Sequence, residues 1–233
     1  MESEEEKRQL NLIITEDGSH SLQVPSLDET YHSSHGAIQE SQHVFIKNGL
    51  QYWIEKNKQK KLSIFEVGFG TGLNALLTTL AASELGIKVN YQSIELYPLA
   101  NEIFSKLNYS KLLGCDQQDF ERLHTSKWEV PLSITNHLTL HKTEASFQNF
   151  DPACTYDLIY FDAFAPSKQP EMWSYQMIEK CFNMLNANGV FVTYSAKGQL
   201  KRDLKQAGFS VESLPGPPGK FEMVRAVKVM SDV

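Results

Sequence analysis

What this chain lacks narrows its chemistry before any motif is considered. Cysteine is scarce: Cys115, Cys154 and Cys181 are widely separated, odd in number and never in C-x-x-C spacing, which excludes a disulfide framework and a zinc knuckle. No apolar run approaches the length needed to span a bilayer. The first eight residues are acidic where a signal peptide would carry a basic start and an apolar middle, so a cytoplasmic protein is expected. An excess of positive charge is missing too: 22 Lys and Arg against 28 Asp and Glu leave −6 with histidines neutral. That excludes a generically basic nucleic-acid coat, and any polyanion must meet a local basic patch. The pair His32-Ser-Ser-His35 has neither a thiolate nor an acidic cluster beside it, so it is read as a polar loop and no metal is expected.

What is present is a folded globule, with 41% apolar and 11% aromatic residues in a chain of 233. The length suits one sizeable domain with a small appendage. Residues 10–24 give two short apolar runs joined by a turn at Asp17-Gly18, a hairpin signal. Residues 38–55 place Val44, Phe45, Ile46, Leu50, Trp53 and Ile54 near helical spacing. Residues 1–60 are therefore expected to form a β-hairpin and helical extension, and residues 61–233 the main domain.

From residue 62 strand and helix signals alternate, which predicts parallel strands with helices on both faces. Strands are expected over 62–67, 89–95, 132–140, 156–161 and 190–194, and helices over 73–85, from 97 to 106, and over 172–185. Gly189 is expected as the left-handed residue that ends the last of these helices. Two strands around Pro215-Gly-Pro-Pro-Gly219, over 209–214 and 222–229, suggest an antiparallel edge pair, unlike a plain dinucleotide-binding fold. The expected class is α/β, Rossmann-like, with a mostly parallel seven-stranded sheet and an antiparallel C-terminal pair.

Two stretches carry chemistry. Phe65-Glu66-Val-Gly68-Phe69-Gly70-Thr71-Gly72-Leu-Asn74 follows an apolar strand and opens a helix, so backbone can approach a ligand at the carboxyl end of the sheet. The dinucleotide pattern would need glycine at 73, where Leu73 stands. The G-x-G-x-G that is present, preceded by Glu66, favours S-adenosylmethionine. The acid at the tip of the second strand, Glu95, suits the two hydroxyls of a ribose, and Tyr97 is placed to flank an adenine ring. The second stretch, Asp162-Ala-Phe164-Ala-Pro166-Ser-Lys168-Gln-Pro-Glu-Met-Trp173, delivers Asp162 to the same rim. Methyl transfer to an amine is an in-line displacement that needs a neutral lone pair held and desolvated. Asp162 and the carbonyls of 163–165 suit that task, with Phe164 and Trp173 as flat surfaces for a flipped-out base or as packing for the loop, and Lys168 for a phosphate or as a solvated loop charge.

These two stretches, with the closing Tyr194-Ser-Ala-Lys-Gly and Gly219-Lys220-Phe-Glu-Met-Val-Arg225-Ala, resemble the methyltransferase domain of the bacterial tRNA-modifying MnmC family. The stretch from Asp28 to Phe45 resembles that family's leading segment. The resemblance implies methyl transfer from S-adenosylmethionine to 5-aminomethyl-2-thiouridine at the tRNA wobble position, giving 5-methylaminomethyl-2-thiouridine. It implies tRNA as partner, Asp162, Phe164 and Pro166 as catalytic residues, and Glu66, the glycine loop, Asn74, Glu95, Tyr97 and Asp162 around the cofactor. Lys220 and Arg225 match the closing motif and are expected to contact RNA, ahead of the lysine runs at 56–61 and 197–205. The chain is too short to hold the oxidase half of bifunctional relatives, so a separate oxidase or amine-forming enzyme is expected upstream. It departs from the family at His141-Lys-Thr-Glu144, where a Gly-Asp pair is usual, and at Tyr31-His32-Ser33, where an aromatic pair is commoner. The rival readings are an aminopropyltransferase or small-molecule N-methyltransferase on the same fold, and a non-catalytic RNA- or cofactor-binding module.

Overall fold

The computed structural model describes residues 9–229, and the acidic stretch around Glu2, Glu4, Glu5 and Glu6 lies outside them. The Asp17-Gly18 turn joins β1 (Asn11–Ile14) to β2 (His20–Val24) as predicted, and β3 (Glu29–Thr30) pairs with the other edge of β2. One carboxylate ties this small sheet to the first helix. Asp17 accepts from Ser19 N at 3.0 Å and Thr15 Oγ1 at 2.8 Å, and across the chain from Gln39 N at 3.0 Å.

That helix opens one continuous helical rod: α1 (Ala37–Ser41), a π-helical stretch over Gln42–Gln51 and α2 (Tyr52–Asn57). The rod lies close on the main sheet because Gly49 has no side chain. A Cβ there would stand 3.1 Å from Val192 Cγ2 and 3.3 Å from the Tyr160 ring. Val44, Phe45, Leu50 and Trp53, apolar positions of the predicted helix, are all buried.

The main sheet begins with β4 (Lys61–Val67) and α3 (Leu73–Leu85), followed by β5 (Lys88–Glu95). Three short helices, α4 (Asn101–Phe104), α5 (Tyr109–Leu113) and α6 (Gln117–Thr125), lead to β6 (Leu132–Ser133) and β7 (Leu138–Glu144). After β8 (Tyr156–Phe161) come a 3₁₀ turn at Pro170–Trp173, α7 (Tyr175–Met184), β9 (Leu185–Thr193), α8 (Gly198–Ala207), β10 (Ser210–Pro215) and β11 (Glu222–Val227). The spatial order is β10-β11-β9-β8-β4-β5-β7-β6. The five central strands run parallel, and β11 pairs antiparallel with both β9 and β10. The predicted seven strands are present, and the two-residue β6 adds an eighth, antiparallel to β7.

The central strands are apolar on both faces because both faces are covered. In β8, Leu158 and Tyr160 pack with α3 and the π-helical stretch, while Ile159 and Phe161 pack with α7 and α8. Four expectations need correction. The helix expected from 97 begins only at Asn101, because Pro98 disfavours helical geometry in the residue before it. The strand expected over 132–140 is split between β6 and β7 by a reversal at 134–137. The helix expected over 172–185 is interrupted: Pro170–Trp173 is a 3₁₀ turn and α7 starts at Tyr175. Gly189 does not end that helix; α7 stops at Met184, Asn188 takes the left-handed conformation (φ 60°), and Gly189 lies within β9.

Candidate active site

At the carboxyl rim the strand ends stay tied after the ladders finish. Gly68 N donates to Ile94 O at 3.0 Å, Asp162 N to Val67 O at 3.0 Å, and Ala145 N to Glu95 O at 3.1 Å. The glycine loop, the tip of β5 and the start of the 162–173 loop are therefore held as one rim. They surround a cavity whose walls also include Tyr31, His32, Ala145, Ser146 and Phe147.

On one side the loop from Gly68 to Gly72 crosses from β4 to α3, with φ of 91°, 49° and 73° at its three glycines. Gly68 is the position where this freedom decides the geometry: a Cβ there would stand 2.9 Å from the backbone oxygen of Asp162. Glu95 sits opposite, accepting from Gly70 N (Oε2, 2.9 Å) and Tyr97 N (Oε1, 2.9 Å). The carboxylate held in this way lines the cavity. Burial raises its carboxyl above the ordinary value, against the pull of those amides. Thr71 is buried, its Oγ1 2.8 Å from His32 Nε2 and its carbonyl 3.0 Å from His124 Nε2. Burial holds both histidines low, His32 at about 4 and His124 at about 3, so each is neutral.

On the other side Asp162 projects from the end of β8, half-buried, with Oδ2 accepting from Asn74 Nδ2 at 2.9 Å. Burial first, and the nearby Glu40 carboxylate second, push it up to about 7 against the Asn74 bond and the Lys220 charge. Phe164 meets Tyr31 edge to face, ring centroids 5.1 Å apart, and both rings line the cavity. The loop behind them is braced twice: Gln169 Oε1 accepts from Phe164 N at 3.1 Å, and Trp173 Nε1 donates to Phe164 O at 2.8 Å. Tyr194 closes the arrangement by donating its hydroxyl to Ala163 O at 2.9 Å.

Most of the predicted site residues come together here. Gly68, Phe69, Gly70, Thr71, Asn74, Glu95, Tyr97, Asp162 and Phe164 all line the cavity. Others fall elsewhere. Glu66 lies behind the wall, fully buried, and Gly72 faces His124 where it starts α3. Pro166 shapes the loop outside the cavity lining. Trp173 is no platform for a base: it is buried, with its ring against Phe161 (4.9 Å) and Tyr194 (6.2 Å), because its indole is the inner brace of the loop. Lys168 lies 3.6 Å from Asp28.

Lys220 and Arg225 are also committed inward. Lys220 pairs with the buried Glu40 and sits 3.8 Å over the Tyr194 ring. Arg225 pairs with Glu212 at 2.7 Å and stacks 3.5 Å over the Tyr52 ring. Both spend their charge on holding β10, β11 and the helical rod together, so neither is free to meet RNA in this arrangement. Glu144 is exposed at the end of β7, and the neighbouring Ala145, Ser146 and Phe147 form the wall instead. His32 and His35 diverge, His35 reaching Glu16 at 3.0 Å. Among the described residues no group of three or more His, Cys, Asp or Glu is placed to hold a metal, and no helix is long and apolar enough to cross a membrane.

Several participants left no local trace of their role in the sequence. Tyr31 and Glu40 lie in the leading segment and Gln169 in the 162–173 loop, but only the contacts of the folded chain show that they meet at the site, and Ala145 comes from a segment with no motif of its own. Lys142 is another: it is buried in β7, donating to His124 O at 2.6 Å and lying 4.5 Å over the Trp128 ring, with burial lowering it to about 8.

Comparison with known proteins bears on the fold and the family. A family described as S-adenosyl-L-methionine-dependent methyltransferase matches residues 114–229. A protein of Leptospira borgpetersenii named tRNA 5-methylaminomethyl-2-thiouridine biosynthesis bifunctional protein MnmC is 31% identical over 208 residues, covering 84% of this chain and 32% of its own length. The protein of the same name from Cupriavidus necator is 31% identical over 218 residues, covering 87% of this chain and 32% of its own length. The chain thus spans about a third of the curated relatives it matches. The crystal structure of MnmC2 from Aquifex aeolicus superposes with a TM-score of 0.72 at 25% identity, covering 94% of this chain and 70% of that one. Spermidine synthase from Thermotoga maritima shares the fold alone, with a TM-score of 0.55 at 14% identity, covering 96% of this chain and 73% of that one.

Proposed function

Since this chain belongs to the S-adenosyl-L-methionine-dependent methyltransferase family matched over residues 114–229, we propose that it methylates the primary amine of 5-aminomethyl-2-thiouridine at the tRNA wobble position, giving 5-methylaminomethyl-2-thiouridine. The observation that carries the reading is the place of Asp162. Its backbone oxygen touches the space at Gly68 on the cofactor side, while its neighbour Phe164 forms the aromatic wall with Tyr31 on the other.

The residues present fit the cofactor. Gly68 lets the loop backbone pass against the Asp162 backbone where a side chain would collide, and the Glu95 carboxylate lines the cavity, held by backbone N–H groups. Glu95 would hold the ribose hydroxyls, Tyr97 and the wall at 145–147 would flank the adenine, and the loop backbone at 68–71 would meet the amino-acid part. When bound, S-adenosylmethionine supplies an electrophilic methyl group on a sulfonium.

The chain's own residues prepare the amine. Tyr31 and Phe164 offer flat apolar faces for a base taken out of its stack. Asp162, held by Asn74, accepts a hydrogen bond from the amine and aims its lone pair. With its carboxyl near 7, it is also matched to taking the proton that the nitrogen must lose. Because Lys220 and Arg225 are paired, RNA phosphates are met by the exposed Lys197 and Arg202 near the start of α8, which opens at the same strand-end rim. The reaction takes place in the cytoplasm, and a separate oxidase or amine-forming enzyme supplies the aminomethyl group. Residues 1–60 act as an extension that brings Tyr31 and Glu40 to the domain at 61–233.

The test is nucleoside mass spectrometry of tRNA from cells lacking the modification, before and after incubation with the protein and methyl-labelled S-adenosylmethionine. Label in the wobble nucleoside is expected. Label on a polyamine or another small amine, with none in tRNA, would favour the small-molecule or aminopropyltransferase-like reading.

A further inference from the structure

Behind the glycine loop stands a histidine that the proposed chemistry does not use. His124, next to last in α6, is buried, and its Nε2 lies 3.0 Å from the backbone oxygen of Thr71. A carbonyl only accepts, so this ring nitrogen carries a proton and donates it. The ring is held in place from several directions. Phe104 stacks on it with centroids 4.3 Å apart and planes 9° from parallel, while Phe69 and Phe120 meet it edge to face at 5.3 and 5.0 Å. Its backbone is fixed as well, since the His124 carbonyl accepts from the buried Lys142 Nζ at 2.6 Å.

The bond falls where the loop is softest. Thr71 stands between Gly70 and Gly72, both left-handed, with φ of 49° and 73°, and such a stretch has little stiffness of its own. The peptide joining Thr71 to Gly72 is gripped at both ends, its oxygen by His124 and its N–H by Phe69 O at 2.9 Å. Rotating that peptide would break both bonds. Gly72 belongs to the same device, because a Cβ there would stand 2.8 Å from His124 Nε2. A second histidine takes the Thr71 side chain, whose Oγ1 lies 2.8 Å from His32 Nε2. Thr71 lines the cavity together with Gly70 and Asn74, whereas His124 does not reach it.

We propose that His124 is a positioning residue for the cofactor: its Nε2–H anchors the Thr71 carbonyl and holds the glycine loop in the shape that receives S-adenosylmethionine. It acts through Thr71 and touches neither cofactor nor acceptor. A loop already set in its binding shape spares the ligand the cost of ordering it. Loss of the anchor should therefore appear in cofactor affinity and leave the transfer step alone. The proposal rests on the placement of S-adenosylmethionine against residues 68–72 made above, and it is independent of which amine accepts the methyl group.

Two measurements on the intact chain test this. The first is the ¹⁵N imidazole spectrum at neutral pH, with His124 assigned by its loss in His124→Gln. A proton on Nε2 is expected; a ring protonated on Nδ1 alone overturns the proposal without any assay of activity. The second separates the N–H from the packing of the ring. His124→Phe keeps an aromatic stack and loses the donor, whereas His124→Gln loses the stack and keeps an amide N–H that can reach Thr71 O. His124→Phe should weaken S-adenosylmethionine binding by roughly tenfold, with kcat at saturating cofactor changed less than about threefold. His124→Gln should melt at a lower temperature and yet hold the cofactor Kd within about threefold of the unaltered protein. Affinity kept in His124→Phe and lost in His124→Gln would show that the ring only packs the loop, and would overturn the proposal. So would losses of kcat and affinity in step. Glu95→Ala, measured alongside, reports on where the cofactor lies. If it loses affinity while His124→Phe does not, the role of His124 fails alone; if neither variant changes the Kd, the placement of the cofactor fails and takes the proposal with it.

Discussion

The two sides of the cavity are built differently. The side proposed for the cofactor is local: one loop of five residues, with backbone donors and left-handed glycines, faced by the acid at the tip of the adjacent strand. The side proposed for the acceptor is assembled from distant segments: Tyr31 and Glu40 from the leading extension, Asp162 and Phe164 from the loop after β8, and Tyr194 and Lys220 from the C-terminal part. Cofactor binding can thus be secured by a short motif, whereas the acceptor's shape depends on long-range packing. The sides meet at Gly68 and Asp162, so damage to the backbone contact there should spread to both, and damage elsewhere should stay on its own side.

The largest effect is expected at that seam. Gly68→Ala adds a Cβ to a residue with φ 91° and within 2.9 Å of a backbone oxygen, and it should lower both cofactor affinity and transfer rate by roughly a hundredfold or more. A loss confined to one of them would break the idea of a shared seam. Glu95→Ala should then weaken S-adenosylmethionine binding by roughly 10- to 100-fold, as for losing charge-assisted hydrogen bonds, with the rate at saturation preserved. Calorimetry and saturating-cofactor kinetics separate the two quantities.

The pH profile sharpens the acceptor side. Asp162 is raised to about 7, so it carries a proton below that pH and works as a carboxylate above it. The kcat/KM for the RNA should rise with pH through about 7, and Asp162→Asn should flatten that limb while lowering the plateau. A limb of unchanged midpoint in the Asn variant would assign the titration to the substrate amine. The smallest effect belongs to Trp173→Phe, which loses the 2.8 Å bond to Phe164 O. It should raise KM for RNA a few-fold and cost about 1 kcal/mol of stability, with the cofactor Kd unmoved.

The same division explains what could be read from the sequence. The alternation of strands and helices, α3 from Leu73 to Leu85, the hairpin at Asp17-Gly18 and the antiparallel C-terminal pair all follow from local periodicity and turn chemistry. The glycine loop and Glu95 were legible because their partners are set by the strand–loop–helix unit itself. Trp173 was not: its position in the chain suits a base platform as well as a brace, and only packing against Phe161 and Tyr194 decides. The destinies of Lys220 and Arg225 were hidden for the same reason, since Glu40 and Glu212 lie 180 and 13 residues away. The close approach of the rod to the sheet at Gly49 was equally hidden, since no periodicity announces it.

The claim that binding and transfer are handled by different sides is tested most directly at the Asp162 side chain. In Asp162→Ala, the S-adenosylmethionine Kd and the single-turnover rate of methyl transfer to tRNA should be measured on the same preparation. The Kd should stay within about threefold while the rate falls roughly a hundredfold or more. Equal losses of affinity and rate would contradict the account and move Asp162 to the cofactor.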